Sequence, residues 1–253
     1  MTPSKSGVTF NPTSQNATVN GSNVSGVNFT TVSSTAGLAI DANTSKDGTA
    51  ASTTIATPVF STASGNELLL AFVATDYLSG ANTTVSSISG GGLTWNLVKR
   101  TNVQSGDAEI WAAFAPSLLT NVTITATVSQ KVVCSITLMS FTGVDTTIGT
   151  TLPNAVGATG TANVRTGAPS AALVTTRNNS WVFGVGNDYD NAIARSAGTG
   201  QTVVHQFLTP TCDTYWVQMQ NATTPLGGTS VSINDVAPTG DRYNLTTVEV
   251  RTP

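Results

Sequence analysis

One stretch of this chain occurs twice, and each copy has the pattern of a strand that is buried on both faces. The first copy covers residues 66–77 and the second covers residues 178–189; each begins with Asn, continues through an apolar run and ends with Asp-Tyr. A continuous apolar run bounded by polar turn residues is typical of a strand covered on both sides. Because self-similarity at a fixed spacing governs the whole fold, the chain is predicted to contain two similar β units.

Further stretches repeat in the same order, at a spacing of roughly 110 residues. These shorter stretches have the alternating apolar and polar pattern of half-buried strands. Their preserved order predicts a first half at 51–144 and a second half at 160–251. The matched stretches, first half with second, are 58–60 with 169–174, 68–76 with 181–188, 92–95 with 200–205, 107–111 with 213–219, 121–124 with 229–233, and 133–139 with 242–248.

The composition predicts an all-β fold. Thr, Ser, Asn, Gly and Val dominate while Glu and Lys are scarce, which disfavours helices and favours strands and turns. We expect an antiparallel, jelly-roll-like β-sandwich covering 37–251. Two small sandwiches are the alternative, but a half of about 90 residues would bury a thin core. The polar segments 41–48 and 145–168 are predicted to be loops.

Charge and hydropathy exclude several classes of protein. Only 9% of the residues are charged and the net charge is -3, so a basic surface for nucleic acid is excluded. The chain lacks a run of about 18 apolar residues, so no membrane-spanning helix is expected. The chain shows no secretory signal, yet its Thr- and Asn-rich composition predicts an extracellular or cell-surface location. In that compartment Cys134 and Cys212 can form a disulfide; the alternative is two unpaired thiols, with Cys134 as a small core residue.

The sequence contains few combinations of residues that could act together as nucleophile, general base and general acid. The only histidine is His205, and no Gly-x-Ser-x-Gly nucleophile motif is present, so we expect a structural role for His205. Glycoside hydrolysis needs two suitably spaced carboxylates, and spacing alone does not identify a pair among the available Asp and Glu residues. An enzyme acting on polysaccharide therefore stays as an alternative, with Glu109 and Asp190 as its candidate acids.

The second Asp-Tyr stretch is the start of a polar cluster that can contact a sugar. Asn187 and Asn191 can hydrogen-bond hydroxyl groups, and Tyr189 can stack on a sugar ring. Trp216 is out of phase with its apolar neighbours in a predicted strand, which makes it the best candidate for an exposed stacking residue. The alternative is a solvated loop whose side chains cap its own backbone.

The same cluster also suggests a Ca²⁺ site. Asp188 and Asp190 are two residues apart, and alternate strand residues face the same way, so both carboxylates can converge on a cation if the strand continues to 190. Arg195 offers a different solution, because its guanidinium can neutralise these carboxylates without a metal. Segment 41–48 has a similar run of oxygen-bearing side chains, for which a plain turn is favoured over calcium.

Two resemblances place the chain in a wider context. Residues 3–12 (PSKSGVTFNP) and 15–29 (QNATVNGSNVSGVNF) resemble the C-terminal end of prealbumin-like stalk domains of the carboxypeptidase-regulatory or collagen-adhesin B type. This resemblance implies that 1–32 is the remnant of such a domain and that the chain was cut from a longer surface protein. Residues 37–251 resemble a module of large secreted bacterial proteins through NELLLAFVATDYLSGANTTV, NSWVFGVGNDYDNAIAR and PTGDRYNLT. That module implies a surface setting and no assigned activity.

Three functions follow as hypotheses. The leading one is a non-catalytic extracellular module that binds a polysaccharide or a neighbouring surface-protein domain. The second is a structural spacer or assembly subunit whose predicted strands at 7–11, 16–20 and 23–29 pair with the exposed edge of a neighbour. The third is the polysaccharide-active enzyme.

Overall fold

A computed structural model describes residues 1–4, 9–21, 23–32 and 37–253, which fall into two compact units, Met1–Ala36 and Gly37–Pro253. Every secondary-structure element in the described residues is a β-strand, so the all-β prediction is confirmed. Within the described residues there is no helix that is long and apolar enough to cross a membrane.

The small unit contains one short antiparallel pair, β1 (Thr9–Asn11) with β2 (Thr30–Val32). Residues 16–20 and 23–29, predicted to pair with a neighbouring chain, have no ladder partners among the described residues of this chain. Gly21 and Gly26, at φ 76° and 82°, turn the backbone within this region. Residues 7 and 8 of the predicted strand 7–11 lie outside the described residues, and the prealbumin-like origin of this unit stays a prediction.

The first half of the large unit contains eight strands. They are β3 (Ala39–Asp47), β4 (Ser52–Ala56), β5 (Glu67–Thr75), β6 (Val85–Gly90), β7 (Asn96–Thr101), β8 (Asp107–Ala115), β9 (Ile124–Val132) and β10 (Cys134–Thr142).

The second half repeats these strands one for one. They are β11 (Val156–Gly167), β12 (Ser170–Val174), β13 (Trp181–Asp188), β14 (Ser196–Ala197), β15 (Gln201–Leu208), β16 (Thr214–Gln220), β17 (Ser230–Ala237) and β18 (Asp241–Val250).

The sheet topology makes the repeat plain. In the first half a five-stranded sheet has the order β3-β10-β5-β8-β7 and a three-stranded sheet has the order β4-β9-β6. In the second half the orders are β11-β18-β13-β16-β15 and β12-β17-β14, which are the same positions shifted by eight strands. All pairings are antiparallel. The predicted repeat is therefore present, with eight strands in each half, more than the number of stretches matched in the sequence. The jelly-roll designation stays a prediction.

Each half is its own sandwich, and the two five-stranded sheets pack on each other. In β5, Leu68 and Phe72 enter a central core that also contains Phe183 of β13. Leu69 and Val73, on the opposite face of β5, enter a separate core under the three-stranded sheet of the first half. Successive side chains of a strand point to opposite faces, so four layers of sheet account for the fully apolar run. The predicted antiparallel β-sandwich is confirmed, and both faces of β5 are covered as predicted. Each half forms its own sandwich, as in the alternative, and the two stack through their five-stranded sheets.

Two predicted loops are strands, and one match of the repeat is shifted. The polar segment 41–48 lies mostly in β3, which pairs with β10, and residues 156–167 of the predicted linker form β11, which pairs with β18. Both are edge strands, whose solvent-facing side permits the polar composition that resembled a loop. Pro58 follows β4 whereas Pro169 precedes β12, so these two prolines are not counterparts.

Polar bonds tie the two halves together. The Thr101 hydroxyl lies 2.6 Å from that of Thr246, which in turn donates to the Ala108 carbonyl at 2.7 Å. On the opposite side of the sheets, His205 Nε2 lies 2.9 Å from Asp47 Oδ1. Since each buried hydrogen bond adds on the order of 1 kcal/mol net, these contacts fix the relative position of the halves more than they drive their association.

Candidate functional site

The two Asp-Tyr ends, which the sequence marks as sister positions, meet in space. Tyr77 follows β5 and Tyr189 follows β13, and their rings pack edge to face with centroids 6.2 Å apart. The contact arises because β5 and β13 are stacked on each other at the centre of the two packed sheets. Edge-to-face contacts of this kind contribute about 0.5–1.5 kcal/mol beyond burial. The repeated motif therefore marks a junction between the halves.

A cavity of about 230 Å³ lies beside this junction, and we name it the Tyr77 pocket. Its walls are the Tyr77 ring, Gly80, Asn82 and the β7–β8 loop at 102–105. Among the described residues that line it, none carries a charge. The Tyr77 hydroxyl donates to the Gly80 carbonyl at 3.2 Å, which orients the ring.

Asn82 holds the β7–β8 loop in place. Its Nδ2 donates to the carbonyls of Asn102 and Gln104, both at 2.6 Å, and of Gly106 at 2.9 Å. Its Oδ1 accepts from the Gly106 amide at 3.1 Å. One side chain thus satisfies backbone groups that an irregular loop would otherwise leave without partners.

The second half holds the same loop from the opposite side. Asn244 of β18 accepts the Gln104 amide at 2.9 Å and donates to the Gln104 carbonyl at 3.1 Å. Asn187 donates to the Thr75 carbonyl at 3.2 Å and accepts from Asn244 at 3.0 Å. A Cβ on Gly106 would lie 2.4 Å from Asn187 Nδ2, so only glycine permits this approach. Both halves are needed to shape one wall of the Tyr77 pocket.

The predicted sugar-contacting residues do not form one site. Asn187 is fully buried, Tyr189 is half-buried and Asn191 is exposed. The carbonyl of Asn191 accepts the Thr214 hydroxyl at 2.8 Å. The grouping of Asn187 with Asn191 is therefore wrong, because β13 ends at Asp188 and the chain turns outward.

The predicted pair Asp188 and Asp190 does not converge on a common point. Asp188 is fully buried and pairs with Arg195, which also donates to Asp241 at 2.6 Å. Asp190 is exposed and lies 3.6 Å from Arg242. The pKa of Asp188 is raised to about 6, because burial outweighs the lowering effect of a backbone hydrogen bond and of Arg195. Within the described part of the chain, no group of three or more His, Cys, Asp or Glu side chains is arranged to hold a metal.

The prediction that Trp216 is exposed is wrong. Trp216 is 1% exposed, and its ring lies under the Arg195 guanidinium at 4.4 Å. It pairs across the sheet with Gly186, where a Cβ would lie 2.2 Å from the indole ring. The missing side chain of Gly186 makes room for the indole in the outer core of the second half.

The two cysteines are not bonded to each other. Cys134 is buried in the core of the first half, and burial raises the pKa of its thiol to about 12. Cys212 is exposed, in the loop before β16, with φ 73°. The predicted disulfide is thus corrected.

The candidate catalytic acids and the histidine have structural partners. Glu109 accepts from Arg100 Nε at 2.5 Å, from the Val85 amide at 2.7 Å and from Trp111 Nε1 at 2.7 Å. Asp47, the partner of His205, also accepts the Ser135 hydroxyl at 2.7 Å. The Asp47 carboxylate therefore lies between the Ser135 hydroxyl and the His205 imidazole. A nucleophilic serine needs its hydroxyl bonded directly to the histidine that acts as base, so these three residues do not form a catalytic triad.

One buried acid lies next to the Tyr junction. Asp213 of the β15–β16 loop accepts the Tyr215 hydroxyl at 2.8 Å. Burial and the neighbouring Asp76 carboxylate raise the pKa of Asp213 to about 8. Asp76 and Asp213 belong to different halves, so a proton on Asp213 removes like-charge repulsion across the junction.

Sequence reasoning missed the pocket residues Tyr77, Asn82 and 102–105. The repeat did identify Tyr77 as the sister of Tyr189, and this was the available signal. The contribution of the 102–105 loop depends on contacts with Asn244, about 140 residues further along the chain, which no local pattern reveals. Neither a protein-family model, nor a curated protein, nor a solved structure matches this chain.

Proposed function

We propose that this chain is a non-catalytic, extracellular β-sandwich module that binds carbohydrate through the Tyr77 pocket. The observation that carries the proposal is an uncharged, open pocket of about 230 Å³ that is lined by Tyr77, Val103 and several amide and hydroxyl groups. This cavity is below the size of about 300–1,000 Å³ that is usual for larger organic ligands. Its size favours a single sugar ring.

The chemistry of the lining matches that of a neutral sugar. The apolar face of a sugar ring packs on an aromatic side chain such as Tyr77. Hydroxyl groups of the sugar exchange hydrogen bonds with amides such as Asn102 and Gln104 and with the Ser105 hydroxyl. An uncharged lining avoids the cost of burying an unpaired charge against a neutral ligand.

The bonds from Asn82 and Asn244 support the same conclusion. A loop that is already held in one conformation loses little entropy when a ligand binds. Such support from neighbouring side chains is a general requirement for a binding site of defined geometry.

The proposal gives no catalytic role to Glu109 or Asp188, because both carboxylates have structural partners. Glu109 is occupied by three donors, and Asp188 is paired with Arg195. The extracellular setting is supported by the low charge and the Thr- and Asn-rich composition. Adhesion to a polysaccharide surface is the biological role that we propose.

Retention on insoluble cellulose, xylan, chitin and starch tests the proposal. We expect the full chain to be retained on at least one of them and the Tyr77→Ala variant to be released. Tyr189→Ala is the matched control, because it removes the same ring contact but leaves the wall of the pocket. Failure of all four polysaccharides to retain the protein, or equal retention of Tyr77→Ala, would contradict the proposal.

A further inference from the structure

A second uncharged cavity, of about 320 Å³, lies on the first half, and we name it the Phe114 pocket. It is lined by Leu93, Thr94, Asn96, Phe114 and residues 147–149 and 151–153 of the link between the halves. It combines the Phe114 ring and other apolar side chains with the Asn96 amide and three threonine hydroxyls, and like the Tyr77 pocket it has no charged lining among the described residues.

The walls of the Phe114 pocket are braced. The turn before Leu93 contains Gly90, Gly91 and Gly92 at positive φ, and Trp95 Nε1 donates to the Gly90 carbonyl at 3.3 Å. On the other wall, the Asn154 amide and side chain bind the Thr147 carbonyl at 3.3 Å and the Thr147 hydroxyl at 2.7 Å. These bonds close the 147–154 loop at its base.

The two pockets lie at opposite ends of the same two strands. β7 begins at Asn96, in the Phe114 pocket, and ends just before Asn102, in the Tyr77 pocket. β11 follows the 147–153 segment, and its Asn163 accepts Gln104 Nε2 at 3.1 Å beside the Tyr77 pocket. At about 3.3 Å per residue, the six steps from Asn96 to Asn102 separate the pockets by about 20 Å.

Both of these strands are edges. β7 and β11 each end the order of their five-stranded sheet and contact each other across the layers. An edge strand presents unpaired backbone donors and acceptors. The side chains exposed between the pockets include Leu97, Lys99, Thr161 and Val164, and neither strand contains Asp or Glu.

We propose that one linear polysaccharide chain spans this side of the molecule, with one sugar ring in the Tyr77 pocket and another in the Phe114 pocket. The inference rests on the proposed function and extends it from a single sugar to a chain several rings long. The intervening sugars lie along β7 and β11, where edge backbone groups and Thr161 offer hydrogen bonds to hydroxyls. Two pockets that bind one chain gain affinity because the second contact is intramolecular.

Titration calorimetry with oligosaccharides of two to eight units, taken from whichever of the four polysaccharides retains the protein, tests the inference. We expect the association constant to rise at least tenfold as the oligosaccharide becomes long enough to bridge both pockets, and then to level off. The Thr94→Trp variant fills the Phe114 pocket from an exposed position. It should abolish the rise while leaving disaccharide affinity unchanged. Thr53→Trp, at an exposed site on β4, is the control and should behave as wild type.

The possible outcomes separate the two proposals. An association constant that does not change beyond the disaccharide, or a Thr94→Trp variant that keeps the full rise, overturns the two-pocket inference and leaves the single-site function standing. Absence of binding to every polysaccharide overturns both.

Discussion

The two halves have the same strand order but use different chemistry after the Asp-Tyr motif. In the first half, Asn82 holds the adjacent loop by neutral hydrogen bonds and a cavity stays open beside Tyr77. In the second half, Arg195 joins the buried acids Asp188 and Asp241 and lies on Trp216. The comparison shows that one topology supports a solvent-accessible polar pocket in one copy and a filled, charged interior in the other.

The largest loss of stability is expected when the buried ion pairs of Arg195 in the second half are removed. Arg195→Met leaves Asp188 and Asp241 buried without their cation, and removal of one partner from a buried pair costs about 3–5 kcal/mol. Urea unfolding followed by fluorescence measures the loss. Arg242→Met is the control, because its pair with Asp190 is long, at 3.6 Å, and partly exposed, and such pairs contribute about 0–1 kcal/mol. Equal losses for the two variants would show that Arg195 does not stabilise the second half in this way.

Loss of the neutral hydrogen bonds of Asn82 should lower the free energy of unfolding by less than loss of Arg195, and it should also weaken binding in the Tyr77 pocket. Asn82→Ala removes the donor to the Asn102 carbonyl and the acceptor of the Gly106 amide, while the Gln104 and Gly106 carbonyls keep bonds from Asn244. Groups left unsatisfied in this way cost about 1–3 kcal/mol. Urea unfolding should therefore show a smaller loss than for Arg195→Met, together with weaker binding to the retained polysaccharide. Asn102→Ala, which only removes a pocket-lining amide, should weaken binding with a stability change within about 0.5 kcal/mol. If Asn82→Ala kept full stability, the loop would have to be held by Asn244 alone.

The junction between the halves should respond to pH. The folded-state pKa of Asp213, at about 8, lies above its ordinary value of 3.8. The folded protein therefore binds this proton more tightly, so the contribution of Asp213 to stability is present at low pH and decreases as the pH rises from about 4 to 8. Asp213→Asn, which keeps a neutral side chain, should flatten this part of the stability profile. Asp190→Asn, at an exposed site, should leave the profile unchanged; an equal response of both variants would contradict the assignment.

The smallest effect on stability is expected from the two cysteine thiols. A thiol-reactive reagent should modify one group, Cys212, in the native protein and Cys134 only after unfolding, because Cys134 is buried with a raised pKa. Addition of a reductant should not move the thermal midpoint. A need for reduction before either thiol reacts would restore the disulfide hypothesis.

Much of the architecture can be read from the sequence because it depends on local patterns. Asn66, the first residue of the first copy, and Asn179, the second residue of the second copy, have φ 58° and 57°. Asn tolerates this conformation, which marks a turn. The apolar runs of β5 and β13 predict cover on both faces. The polar edges β3 and β11 were mistaken for loops, because an edge strand and a loop can share the same composition.

The Tyr77 pocket could not be predicted from the sequence, because its walls come from residues that are far apart along the chain. By itself the sequence determined an all-β chain of two repeated halves, the ends of its central strands, and a shortage of catalytic residues. The tertiary structure decided that these halves stack as four layers, that Gly186 accommodates a buried Trp216, and that Arg195 holds Asp188. It also decided that Tyr77 lines a pocket whose wall is held by Asn244 of the other half. Strand patterns depend on neighbours along the chain, whereas burial, ion pairing and cavities depend on residues that only the packing of the halves brings together.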